Sequence, residues 1–142
     1  MAFNVLIVDD SATMRIVLKK TITASGFKIG QYFEASNGRE ALGILENTMI
    51  DLVLTDYNMP GMDGLQLLEE MKKDELLMSI PVIMVTTEGS HQRVEDFLEK
   101  GATDYVKKPF TPEEIRRKLN RIMGEPEDGE ARSDEGDANL DF

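Results

Sequence analysis

Several residues stand where short apolar runs stop, and their side chains suit phosphoryl and metal chemistry. Asp9 and Asp10 follow Phe3–Val8, Asp56 follows residues 52–55, Thr86 follows residues 82–85, and Lys108 lies just past residues 102–106. If these runs are parallel strands of one sheet, all these side chains meet at its carboxyl edge, where ligands bind in open α/β sheets. Carboxylates gathered at one edge repel one another. Burying them unpaired costs several kcal/mol each, so they need a cation. The chain has no Cys and a single His, His91. An all-oxygen donor set suits Mg2+ or Mn2+, not zinc. Mg2+ commonly takes one or two carboxylates, waters and a phosphoryl oxygen, which leaves a carboxylate free as a nucleophile. Such a carboxylate attacks phosphorus to form an acyl phosphate. Lys108 would then neutralise one phosphoryl oxygen and the Thr86 hydroxyl would donate to another. A lone Asp-Asp pair more often caps a helix. A third Asp and a Lys at matching strand ends make the site the better reading.

The apolar spacing supplies the elements that must hold these residues. Phe3–Val8 reads as a buried strand. Met14, Val17, Leu18, Thr21 and Ile22 recur at helical spacing, and Gly26 ends that helix. Residues 29–35 read as a less apolar strand, and Asn37 with Glu40 starts a helix to about Asn47. The strand at 52–55 runs into Asp56, and residues 58–64 form a turn-rich loop in which Met59 and Met62 read as packing residues. Residues 65–73 are helical. Pro81 opens the strand 82–85, and a helix over 90–100 turns Val94, Phe97 and Leu98 inward. Residues 102–106 form a fifth strand. Thr111-Pro112-Glu113-Glu114 starts the last helix, with Thr as cap and Pro in the first turn. Ile115, Leu119, Ile122 and Met123 share one of its faces. Strands alternating with helices predict right-handed βαβ crossovers and a doubly wound α/β parallel sheet covered on both faces.

The 142 residues suit one domain, on a prior of ~100–200 residues per domain. Without Cys there is no disulfide, thiolate metal site or Cys nucleophile, and one His leaves little room for a Ser/His/Asp triad. No apolar run approaches the ~18 residues of a membrane span. The start, Met-Ala-Phe-Asn-Val-Leu, lacks a basic signal region, so a cytoplasmic protein is expected. Net charge is −11, from 16 Lys+Arg against 27 Asp+Glu. Residues 125–142 hold eight acids and one base, Arg132, which leaves −4 on residues 1–124. That balance argues against nucleic acid and against an anionic membrane surface. The expected organisation is a folded domain over 1–124 and an acidic, mostly disordered tail over 125–142.

The stretches VLIVDDS at 5–11, LVLTDYNMPGMDG at 52–64, PVIMVTTE at 81–88 and GATDYVKKPF at 101–110 resemble the receiver domain of bacterial two-component response regulators. The resemblance spans residues 3–123. SATMR at 11–15 and KKPFTPEEI at 107–115 bring it nearest to the single-domain chemotaxis receivers. It implies a (βα)5 flavodoxin-like fold with strand order 2-1-3-4-5. It makes Asp56 the phosphorylated residue, Asp10 a direct Mg2+ ligand and Asp9 a ligand through water. Asn58 lends a backbone carbonyl to the metal. Lys108 matches the family's lysine, followed by a cis proline, here Pro109. Thr86 and Tyr105 match the switch pair, and Asn58 and Glu88 fall where the family tunes phosphoryl lifetime.

The resemblance also implies partners: a chemotaxis-type histidine kinase as phosphodonor, a flagellar motor switch protein or other output protein, and a phosphatase as a further candidate. No output domain is read after Gly124, so the signal is expected to leave by protein binding from a monomer. On this reading the chain is no enzyme beyond catalysing its own phosphorylation and dephosphorylation. A stand-alone receiver in a non-motility phosphorelay is the alternative within the class. A Mg2+-dependent phosphatase with an Asp nucleophile, of haloacid dehalogenase type, wants Asp-x-Asp-x-Thr after the first strand. Here Ser11 stands where its second Asp should be. A flavodoxin-like FMN carrier needs a Ser/Thr/Gly-rich phosphate loop where Asp9 and Asp10 would repel phosphate. Within the tail, Leu140 and Phe142 are apolar anchors among acids. They read either as part of a solubilising tail or as a segment that docks on a basic face of the domain.

Overall fold

Five strands and five helices alternate along the chain in the computed structural model, which describes residues 3–87 and 90–124. They are β1 (Phe3–Val8), α1 (Ala12–Ala24), β2 (Ile29–Ala35), α2 (Gly38–Asn47), β3 (Leu52–Asp56), α3 (Gly64–Lys72), β4 (Val82–Thr86), α4 (His91–Glu99), β5 (Asp104–Lys107) and α5 (Pro112–Met123). All strand pairs are parallel, in the order β2-β1-β3-β4-β5. This is the doubly wound α/β sheet that the sequence predicts, with the order implied by the family resemblance. Glu88 and residues 125–142 lie outside the described residues.

Strand side chains alternate between the two faces of the sheet, so each apolar run feeds two cores. Leu6, Val8, Val53 and Met84 join Leu67, Leu68 and Phe97 on one face. Val5, Ile7, Leu54, Ile83 and Val85 join Leu18, Ile22, Ile115 and Leu119 on the other. Thus α1 and α5 cover one face, and α2, α3 and α4 cover the other. The central strands β3 and β4 are buried throughout, which is why they read as unbroken apolar runs. β2, at the edge, is largely exposed or half-buried.

Each helix begins on a side-chain cap. Ser11, Asn37, Asp63, Ser90 and Thr111 each accept from the backbone N–H three residues on. Asn37 and Glu40 do not form a reciprocal box, because the Glu40 carboxylate accepts instead from the N–H of Ser36 at 2.8 Å. Two inward assignments differ from expectation. Val17 and Leu98 are 46% exposed, because Leu18, Ile22 and Phe97 already fill the narrow stripe each helix turns to the sheet. Met59 is buried and Met62 packs on the core, as expected of the loop. No helix among the described residues is long and apolar enough to cross a membrane.

Candidate functional site

β1 and β3 carry three carboxylates to the same edge of the sheet. Oxygens of Asp9, Asp10 and Asp56 lie within 4.8 Å of one another. Asp9 is buried at 1% exposure, whereas Asp10, one residue on, is exposed. Asp9 is also the anchored member. Its Oδ1 accepts from the N–H of Ser11 at 2.9 Å, and its own N–H donates to the Ala35 carbonyl at 3.0 Å. Arg15, on α1, donates to the Asp9 carbonyl and pairs with Glu34 at 2.8 Å. The Asp10 carboxylate forms no hydrogen bond or ion pair among the described residues.

Lys108 enters from the loop after β5. Its backbone N–H donates to the Thr86 carbonyl at 2.7 Å, and the Lys108–Pro109 peptide is cis. The ammonium lies 3.3 Å from Asp9 Oδ2 and 3.3 Å from Asp56 Oδ1. Part of the cation demanded by the acidic cluster is therefore supplied by the chain itself. Asp56 is 8% exposed, and its Oδ2 accepts no hydrogen bond among the described residues. Burial pushes the Asp56 carboxyl above its ordinary value; Lys108 opposes that shift, and Asp9 and Asp10 add to it.

Three carboxylates against one ammonium leave two formal negative charges at an edge open to solvent. Only oxygen donors are present, and one carboxylate has no partner. This donor set fits a hard divalent cation such as Mg2+, which Asp10 and Asp56 could hold, while Asp9 is engaged by Lys108 and Ser11. Asn58, two residues past Asp56, is exposed and lines an open depression of about 360 Å³ with Met59, Pro60 and Asp63. The loop that holds it is tied at both ends. Tyr57 N–H donates to the Val85 carbonyl at 3.1 Å, and Gly64 N–H donates to the Tyr57 carbonyl at 3.0 Å.

Thr86 ends β4, fully buried, in register with Lys107. Tyr105 lies on β5 opposite Met84 and is half-buried. Its ring sits 4.8 Å from the Lys118 ammonium, which also pairs with Asp104 at 2.9 Å. Asp9, Asp10, Asp56 and Lys108 thus form one cluster, with Thr86 and Tyr105 on the adjoining strands. Sequence alone assigned no site role to Ser11, Arg15 or Asp104, and marked Lys118 only as one of the cations on a basic last helix that suits an acidic partner. Nothing local marks a partner that lies across the fold.

Comparison with known proteins agrees with this architecture. The family model described as response regulator receiver domain matches residues 5–120. The chain is 40% identical over 122 residues to the chemotaxis protein CheY1 of Helicobacter pylori, covering 85% of this chain and 97% of that protein. It is equally identical, over the same share of this chain, to a chemotaxis protein CheY homolog of Campylobacter jejuni, covering 92% of it. The solved structure of Vibrio cholerae CheY4 superposes with a TM-score of 0.76 at 31% identity, covering 86% of this chain and 99% of that one. The receiver domain of a Pseudomonas aeruginosa sensor histidine kinase, solved with a magnesium ion coordinated in its active site cleft, has a TM-score of 0.76 at 26% identity, covering 87% and 99%. With its strand order, its acidic edge and these matches in agreement, the chain belongs to the response regulator receiver domain family.

Proposed function

We propose that this receiver is phosphorylated on Asp56 by a partner histidine kinase with Mg2+, and signals by binding an output protein in chemotaxis. One observation carries the reading. Lys108 holds Asp9 Oδ2 and Asp56 Oδ1 at 3.3 Å each, while Asp56 Oδ2 is left without a hydrogen bond among the described residues. That oxygen is oriented by its neighbours and free to react.

In the transfer, an Asp56 oxygen attacks the phosphorus of a phosphohistidine. The O–P bond forms and the P–N bond breaks, its electron pair leaving on the imidazole nitrogen, which takes up a proton. Asp10, Asp56 and the Asn58 carbonyl would hold Mg2+, with Asp9 beside them, and the ion would supply neutralisation of the phosphoryl oxygens. Lys108 supplies positive charge that needs no reorganisation when the phosphoryl group arrives. Thr86 and Tyr105 form the switch, with the hydroxyl donating to the phosphoryl group and the ring following it inward. Water later hydrolyses the acyl phosphate. The names of the CheY relatives support a chemotaxis role; the output partner in this proposal is a flagellar motor switch protein.

Incubation with acetyl phosphate and Mg2+ tests the reading by intact mass. One added phosphoryl group is expected for the wild-type chain, and none for Asp56→Asn or after EDTA. An Asp56→Asn chain phosphorylated at the wild-type rate would falsify the assignment.

A further inference from the structure

A cavity of about 190 Å³ opens between β5 and α5, lined in part by Tyr105, Lys107, Phe110, Arg117 and Lys118. Its cations are not equivalent. Lys118 is committed to Asp104 at 2.9 Å, and Arg121, on the next turn, also reaches Asp104 at 3.4 Å. Arg116 donates to the Ser25 carbonyl. The one acid of the rim, Glu114, is turned to the N–H of Thr111. Lys107 and Arg117 are exposed and form no ion pair or hydrogen bond among the described residues. Two uncommitted cations therefore flank half-buried aromatic side chains, on a chain whose net charge is −11.

We propose that residues 125–142 of this same chain dock here, with Leu140 and Phe142 against Phe110 and Tyr105 and the tail acids at Lys107 and Arg117. Charge selects the site. The larger apolar groove of about 530 Å³, where Met49 and Leu76 are 85% and 84% exposed, includes Glu46 in its lining. Exposed Asp51, Asp74 and Glu75 adjoin that groove in the chain, while the nearby Lys73 is paired with Glu70 and Lys72 donates to the Met78 carbonyl, so a segment carrying −7 is repelled there. Connection favours the tail over a separate acidic partner. From Arg117, α5 runs about 10 Å to Gly124, and the 18 residues beyond it reach up to ~60 Å when extended. A short flexible tether sets an effective concentration of about a millimolar. Exposed ion pairs contribute about 0–1 kcal/mol each, so the apolar anchors supply the part of the contact that survives salt.

The absence of Cys permits a clean test on the full chain: Asn139→Cys carrying a nitroxide label, with amide signals recorded by NMR. Docking predicts selective loss of intensity for residues 105–110 and 114–118. The loss should be relieved by Lys107→Glu with Arg117→Glu, and separately by Leu140→Ala with Phe142→Ala. Both cations are exposed and unpaired, so reversing them leaves the fold intact, and the second pair of substitutions touches only the tail. Part of the effect should persist at high salt in the wild-type tail and vanish in the Leu140→Ala, Phe142→Ala tail. Signal loss centred on residues 45–50 and 76–80, loss confined to residues next to Gly124, or loss indifferent to both sets of substitutions would overturn the proposal.

Discussion

Lys108 and Asp9 stand 99 residues apart in the chain and 3.3 Å apart in the fold. β3 and β4 lie between the strands that deliver them. The contact exists because parallel winding puts every strand's carboxyl end on one edge, and because a lysine stem is long enough to cross that edge. The ammonium reaches Asp56 on the way. The same cation thus stabilises the fold and supplies charge to the site.

Replacing Lys108 by Met should lower stability at neutral pH by about 1–3 kcal/mol, since buried Asp9 and Asp56 lose their shared partner. The cost should shrink as the solution is acidified and the carboxylates are protonated. Urea midpoints at neutral and acidic pH measure both effects. A variant as stable as wild type at neutral pH contradicts the assignment.

Asp56→Asn should be more stable than wild type at neutral pH. Burial, above all, holds the Asp56 carboxyl above its ordinary value of 3.8 in the folded chain. A raised carboxyl contributes most to stability below the unfolded value, and that contribution is lost as pH rises through the folded value. The gap between Asn and Asp should therefore open as pH rises from below 3.8 and then level off. Paired urea titrations over this range check the sign, and a gap that favours Asp at neutral pH refutes it.

Mg2+ should stabilise the chain by linkage, by about 1.4 kcal/mol at ten times its dissociation constant. Asp10→Asn should lose most of that gain without lowering stability in EDTA, because Asp10 is exposed, has no protein partner to lose, and its charge only repels Asp56. Thermal melts across a Mg2+ titration distinguish the two. A loss of stability in EDTA would show that Asp10 serves the fold instead.

Gly64→Ala should cost about 1–3 kcal/mol by overpacking. A Cβ there would meet the Asp56 carbonyl at 2.5 Å and the Met84 sulfur at 2.8 Å. The first turn of α3 rests directly on the end of β3, so the substitution should also slow phosphorylation of Asp56. Stability and the rate with acetyl phosphate read the two effects, and a variant unchanged in both excludes the close approach.

The alternation of strands and helices, the caps at Asn37 and Thr111 and the burial of β3 and β4 could be read from the chain itself. These depend on neighbours within a few residues: an Asn or Thr ahead of a helical stripe, or an apolar run short enough to be a buried strand. The convergence of Asp9, Asp56 and Lys108 followed from the same pattern, because parallel strands share an edge. The division of labour between Asp9 and Asp10 did not follow from pattern alone. Both follow β1 and both carboxylates reach the same cluster, and only the packed sheet decides which of them is buried against Lys108. The outward turn of Leu98 and the pairing of Lys118 with Asp104 and Tyr105 were equally hidden. Helical spacing marks a face but not how wide a stripe the sheet will cover, and a lysine gives no local sign of the carboxylate it will meet from another element. Propensity and period act along the chain, whereas burial and charge pairing act through space, and those were settled only when the elements had packed.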